Sequence, residues 1–240
     1  MEKAQAREEI ARRLDALTPE QRREASARIR RLVADLPEFQ RATTVLLFVS
    51  LPDEVDTLPI IADALAAGKI VAVPKVDRRR KVMVACEIQG QTTNFPSCSP
   101  ASPPLGSASA LQSGFPSRPE AEIRSLSLNL APGAFGILEP REAVVVEPSA
   151  IDFVLVPARG YDRSGNRIGR GGGYYDRYMA QPAFRAVRCG VAFAAQVLDS
   201  IPHTPHDLPV ELLVTERSIV SCRQVSQRGR SALDKTEPQS

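Results

Sequence analysis

The chain has no tryptophan and only two histidines, His203 and His206, so a histidine-rich metal centre is excluded. Its four cysteines, Cys86, Cys98, Cys189 and Cys222, stand apart without Cys-x-x-Cys spacing, which argues against a zinc knot or a disulfide framework. Charge of one sign is also lacking. The 31 basic and 28 acidic residues leave a net +3, too little to imply nucleic acid as a partner. No run of about 18 apolar residues occurs, so no membrane span is expected. The segment Met1 to Ile10 is charged where a secretory leader needs an apolar stretch, so a cytoplasmic protein is expected. With 43% hydrophobic and 25% charged residues in 240, the composition is that of a globular chain with room for one large domain or two small ones.

What the chain does have is unevenly placed. Six of its 14 glycines fall between Gly160 and Gly173, and all four tyrosines between Tyr161 and Tyr178. Residues 91–122 hold seven serines and six prolines with few charges and no apolar period. Such a segment buries too little surface to offset its ordering entropy and reads as a disordered insertion. The polar, aperiodic residues 221–240 read as a disordered tail. The expectation is a single domain over 1–220, interrupted by the insertion.

Elsewhere the periods are clear. Ala6, Ile10, Leu14 and Leu17 recur at helical spacing. Thr18, Pro19 and Gln21 form a capping box with proline at the first helical position, and Ala25, Ile29, Leu32 and Val33 make the stripe of the helix that follows. Thr43–Val49 is an apolar, β-branched run suited to a strand buried on both faces. Thr57 opens a further helix that Gly68 ends, and strands follow at 69–73 and 82–88. After the insertion, Pro132-Gly133 reads as a turn before the apolar stretch Phe135–Leu138. Phe153–Val156 reads as a strand running into the glycine-rich stretch, Tyr174–Met179 as a helix, and 189–193 and 211–215 as strands. Short buried strands alternating with helices predict an α/β fold, a mostly parallel sheet with helices on both faces, and a ligand beyond the C-terminal strand ends.

The stretch from Tyr161 to Arg177, with Arg167, Ile168, Gly169, Arg170, Gly171, Gly172, Gly173, Tyr174 and Tyr175 at its centre, suits an anion. Successive glycines let backbone N–H groups approach closely, the helix that follows offers its N-terminus, and two arginines add fixed charge. Asp176 is placed to hold Mg²⁺ against phosphates, since a hard cation prefers carboxylate oxygen. The sequence is neither a Walker A loop nor a dinucleotide fingerprint. A glycine-rich surface turn before a capped helix has the same composition.

The whole run DRSGNRIGRGGGYYDRY resembles the signature of the 5-formyltetrahydrofolate cyclo-ligase (methenyltetrahydrofolate synthetase) family. Four further segments agree in order: Lys3 with Arg7, Glu54-Val55-Asp56-Thr57, the Phe-Gly-Ile-x-Glu-Pro element at 135–140, and His206-Asp207. The resemblance implies the layered fold shared with sugar-phosphate isomerases and CoA transferases. It also implies ATP- and Mg²⁺-dependent closure of 5-formyltetrahydrofolate to 5,10-methenyltetrahydrofolate, through a phosphorylated formyl group. By the same resemblance Lys3, Arg7 and residues 167–175 would meet ATP. Val49, Glu54, Arg170 and Tyr174 would meet the folate, with Arg170 and Tyr174 catalytic, and Asp176 and Asp207 would be the magnesium ligands. The implied partners are these two small molecules, acting on a monomer, with no nucleic acid and no membrane.

Each residue also has a plainer reading. Lys3 and Arg7, one helical turn apart, could be a solvated helix face, Asp176 a first-turn helix charge, Glu54 a loop charge, and Asp207 a turn residue before a strand. One departure from the family pattern stands out. Where members carry a small–apolar–phenylalanine sequence, this chain has Ala158-Arg159-Gly160-Tyr161, which puts a charge near the folate side. Two rival readings remain open: a non-catalytic relative that binds nucleotide or RNA, and an enzyme acting on another ATP-activated amide or carboxylate.

Overall fold

A computed structural model describes residues 2–88, 130–132, 138–140 and 144–222. The insertion at 91–122, Gly133 of the expected Pro132-Gly133 turn, residues 135–137 of the 135–140 element, and the tail beyond 222 lie outside the described residues.

Helices α1 (Lys3–Asp15), α2 (Pro19–Ala34) and α3 (Pro37–Arg41) lead into strand β1 (Thr44–Leu46). The α2 start is the predicted capping box, with the Thr18 hydroxyl accepting from the Gln21 N–H at 3.2 Å. Helix α4 (Leu58–Ala66) is followed by Gly68 at φ +74, the left-handed stop its sequence predicts. Strands β2 (Ile70–Asp77), β3 (Val82–Glu87), β4 (Leu130–Pro132), β5 (Leu138–Pro140) and β6 (Val144–Val146) come next. Then come β7 (Phe153–Val156), β8 (Gly160–Asp162), β9 (Arg167–Ile168) and α5 (Tyr174–Met179). The chain closes with β10 (Val187–Val191), β11 (Val197–Leu198), β12 (Leu212–Val214) and β13 (Ile219–Ser221).

Eight strands form the main sheet in the order β13-β12-β10-β7-β1-β2-β3-β6. The pairings from β12 through β10, β7 and β1 to β2 are parallel, while β13, β3 and β6 add antiparallel edges. Period-two alternation divides the core. Val45, Val71, Val73, Phe153, Leu155 and Val214 face the layer made by α1–α4. Leu46, Ala72, Val154, Val156 and Leu213 face α5 and the segment after it. The sheet is therefore covered on both faces, as predicted, although among the described residues four α-helices lie on one side and a single short one on the other.

Three features differ from the sequence reading. Strand β7 leads through residues 157–159 into the glycine stretch as expected, but part of that stretch is itself strand, β8 and β9 pairing with β11 in a small second sheet. Asp162 builds its turn by accepting from the Ser164 and Asn166 N–H groups at 3.0 Å, and Gly165 at φ +84 sits where a Cβ would meet the Val210 carbonyl at 2.3 Å. Strand β6 at the sheet edge is new; its Val144 and Val145 are about half exposed, so it carries no buried apolar signal. Strand β13 runs to Ser221 and Cys222 packs into the core, so ordered structure passes the boundary at 220.

Strand order reverses at the centre: β1 continues to β2 on one side, and β7 to β10 on the other. The loops leaving the C-terminal ends of β1 and β7 therefore open on one crevice.

Candidate active site

That crevice gathers residues from four distant parts of the sequence. The loop after β1 carries Asp53 and Glu54, and the connection after β7 carries Arg159. The loop between β9 and α5 carries Arg170 and the glycines. The N-terminus of α1 brings Lys3 and Arg7. Gly171 (φ +96) and Gly173 (φ +62) take the left-handed conformation that lets this last loop turn into α5.

Arg170 reaches across the crevice. Its guanidinium donates to Asp53 at 2.9 Å and to Glu54 at 3.1 Å. Glu54 is buried to 11% side-chain exposure and its other oxygen accepts from the Leu51 N–H at 2.9 Å. A carboxylate fixed in this way offers an oriented acceptor to a ligand with N–H donors. Val49, five residues earlier, lies in the helical-side core and is only 6% exposed. Sequence reading places it in the same pocket as Glu54; the structure puts it beneath that loop, with little surface turned outward.

On the opposite side of the glycine loop, Arg7 Nε donates to the Gly169 carbonyl at 3.2 Å, and Lys3 Nζ meets Asp207 at 2.7 Å. The two cations of α1 are thus tied to the Asp207 turn and the glycine loop instead of lying on a solvated helix face. Asp207 also accepts from the Thr204 N–H and hydroxyl. Burial alone would raise its carboxyl, but Lys3 and Thr204 together outweigh that and hold it below the usual carboxylate range.

Asp176, in the first turn of α5, accepts from the buried Arg167 guanidinium at 2.6 Å and from the Leu208 N–H at 3.1 Å. Leu208 follows Asp207 in the chain, so this backbone hydrogen bond ties the Asp207 turn to the start of α5. All the bonds to Asp176 go to Oδ1 and all those to Asp207 to Oδ2, so each keeps a second oxygen clear. No group of three His, Cys, Asp or Glu side chains that could hold a metal occurs among the described residues. Two carboxylates alone would not cage a magnesium ion, which would have to take the rest of its shell from phosphate oxygens or water.

The tyrosines divide into two kinds. Tyr161 is a fully buried strut whose hydroxyl donates to the Val156 carbonyl; Gly190 has no Cβ because one would meet the Tyr161 ring at 2.6 Å. Tyr175 is half-buried as a residue, yet its hydroxyl is buried and has no hydrogen-bond partner among the described residues. Burial, with the Glu54 carboxylate adding to it, pushes that hydroxyl's pKa far up, so it stays protonated and can only donate or accept as a neutral group. Tyr174 lies at the site's edge, with Arg177 5.2 Å from its ring centroid. Ile168 is buried beneath the loop and anchors it.

The site residues missed in the sequence are Asp53 and the role of Arg159. The acidic cluster Asp53-Glu54-Asp56 after a strand was the available signal for the first. Arg159 stands out in the sequence as a charge where family members are apolar, but its pairing with Asp53 has no local signal.

Residues 1–216 match the profile of the 5-formyltetrahydrofolate cyclo-ligase family. The 5-formyltetrahydrofolate cyclo-ligase of Mus musculus is 27% identical over 223 residues, covering 90% of this chain and 94% of its own. That of Escherichia coli K12 is 25% identical over 213 residues, covering 88% and 98%. The NMR structure of Aquifex aeolicus 5,10-methenyltetrahydrofolate synthetase superposes with a TM-score of 0.67 at 29% identity, over 97% of this chain and 96% of its own. A second synthetase structure, from Mycoplasma pneumoniae, shares the fold with a TM-score of 0.60 at 20% identity, over 90% of this chain and 99% of its own. A glycine loop flanked by two α1 cations, facing a part-buried glutamate at the sheet's switch point, is thus found in a chain that belongs to the 5-formyltetrahydrofolate cyclo-ligase family.

Proposed function

We propose that this chain closes 5-formyltetrahydrofolate to 5,10-methenyltetrahydrofolate at the expense of ATP, releasing ADP and phosphate. The observation that carries the reading is the convergence of Lys3 and Arg7 with Asp207 and Gly169, 204 and 162 residues away, beside the Glu54 loop. A helix face with no role in binding has no reason to be tied to a glycine loop and a carboxylate in this way.

The formyl oxygen attacks the γ-phosphate of ATP, and N10 then attacks the activated carbon so that phosphate leaves in place of hydroxide. Positioning and charge stabilisation are the protein's tasks in such a transfer. Lys3, Arg7 and residues 167–175 would hold the nucleotide, Arg167 and Arg170 supplying fixed charge. Glu54 would accept from the pterin's N–H groups, with Val49 beneath it. Arg170 and Tyr174 would touch both substrates at the reacting centre. Magnesium, held by Asp176 and Asp207, would neutralise charge on the phosphates.

This reading carries a cytoplasmic monomer working on two small molecules, without a nucleic-acid partner. No helix among the described residues is long and apolar enough to cross a membrane.

Purified protein mixed with 5-formyltetrahydrofolate and Mg-ATP should show methenyltetrahydrofolate absorbance and ADP in equal amounts, both lost when magnesium is chelated. ADP formed without folate turnover would point to another amide or carboxylate acceptor. Glu54→Gln keeps the shape but removes the charge. It should raise KM for the folate about tenfold, the worth of a charged hydrogen bond, while ATP affinity by calorimetry stays within about twofold. A selective loss of ATP binding would overturn the placement of Glu54.

A further inference from the structure

We propose that Arg159 is a positioning residue of this reaction, holding the glycine-loop Arg170 beside Glu54 through the shared carboxylate of Asp53; the proposal rests on the cyclo-ligase reading.

Arg159 is not a loose surface arginine. Its N–H donates to the Ile168 carbonyl at 2.8 Å, and its own carbonyl accepts from the buried Gln196 side chain at 2.9 Å. Its backbone is thereby fixed to β9 and to the turn before β11. The side chain, 32% exposed, pairs with Asp53 across the crevice. Asp53 in turn accepts from Arg170 at 2.9 and 3.3 Å, and Arg170 continues to Glu54 at 3.1 Å. Cation, carboxylate, cation and carboxylate alternate along this line.

The order of the line matters. Arg170 is 44% exposed and sits on a loop where a Cβ at Gly171 would meet nothing within 4 Å, so packing does not set its position. Its ion pairs do. A ligand's N–H groups arriving at Glu54 compete with Arg170 for that carboxylate, and Asp53 is the other carboxylate that holds Arg170. The side chain of Asp53 has no hydrogen-bond partner among the described residues besides the two arginines. Without Arg159, Asp53 would be anchored only by the group it has to anchor. Each such exposed pair adds little stability, but a small displacement of a reacting group is costly in rate.

The test is a double-mutant cycle of Arg159→Met and Arg170→Ala, reading kcat, KM for each substrate and thermal melts. Arg159→Met should cut kcat about tenfold in the wild-type background and less than about twofold in the Arg170→Ala background, with melting unchanged within a few degrees. Arg159→Lys should recover more than half of the lost rate. Asp53→Asn, a surface-loop change, should reproduce the Arg159→Met loss and not add to it. Equal losses in both backgrounds would mean that Arg159 acts independently of Arg170 and would overturn the proposal, as would an unchanged kcat. If the wild-type chain fails to turn over 5-formyltetrahydrofolate, the cyclo-ligase reading fails instead. The cycle is then read on ATP affinity, where additivity is again the overturning result.

Discussion

Arg170→Ala is expected to lower kcat for methenyltetrahydrofolate formation by about 100-fold or more while the fold survives. The two halves of that expectation have separate causes. Arg170 is 44% exposed and is held by ion pairs to Asp53 and Glu54. Exposed pairs contribute about 0–1 kcal/mol each, so the thermal midpoint should move by only a few degrees. Removing the guanidinium leaves Asp53 and Glu54 as like charges without the cation they share, Arg159 still pairing with Asp53, which sets the upper end of that cost. In phosphoryl transfer, by contrast, a positioned cation beside the transferring group contributes on the order of 10² or more in rate. Stopped assays of ADP and methenyl product, paired with melts of the same preparations, give both quantities. Full activity in this variant would remove Arg170 from the chemistry. A collapsed melt would assign it to the scaffold instead.

The contrast between Arg170 and its partners explains what could be read from the amino acids alone. Elements with their own local signal stand where the sequence puts them: Phe153–Val156 is a continuous apolar run, Thr18-Pro19-Gln21 a complete cap, and Tyr174–Met179 a helix bounded by glycine. Strand β6 and the β8-β9-β11 sheet carry no such signal. Their residues are held by partners tens of residues away, as when Val197 pairs with Tyr161. Site residues divide in the same way. The glycines and tyrosines of 160–178 are concentrated in sequence and betray themselves. Lys3 and Arg7 are indistinguishable from a solvated helix face until α1 is laid against Gly169 and Asp207. The family resemblance, not their spacing, is what singles them out. Asp53 is harder still, because its role is defined by Arg159 and Arg170, 106 and 117 residues further along. No window of sequence contains that relationship.

Asp176→Asn should abolish turnover and also destabilise the protein by about 2–4 kcal/mol, a combination that distinguishes it from its neighbour Asp207. Arg167 is the reason. Its side chain is 5% exposed and pairs with Asp176 at 2.6 Å, whereas Lys3 and Asp207 remain 36% and 24% exposed. Asparagine still accepts from the Leu208 N–H, so the local turn keeps its hydrogen bond. The buried guanidinium, however, loses its counter-charge, and an uncompensated buried charge is among the costlier single lesions. Asp207→Asn breaks only a partly exposed pair and should cost about 1 kcal/mol or less, with turnover reduced just as severely. Denaturant melts separate the two variants. Activity titrated against magnesium then tests the shared role: both should need far more of the metal than wild type to recover any rate. If Asp176→Asn melts like wild type, Arg167 has found another partner and the pair is not structural. If it responds to magnesium as wild type does, Asp176 is not a ligand, and its carboxylate serves Arg167 alone.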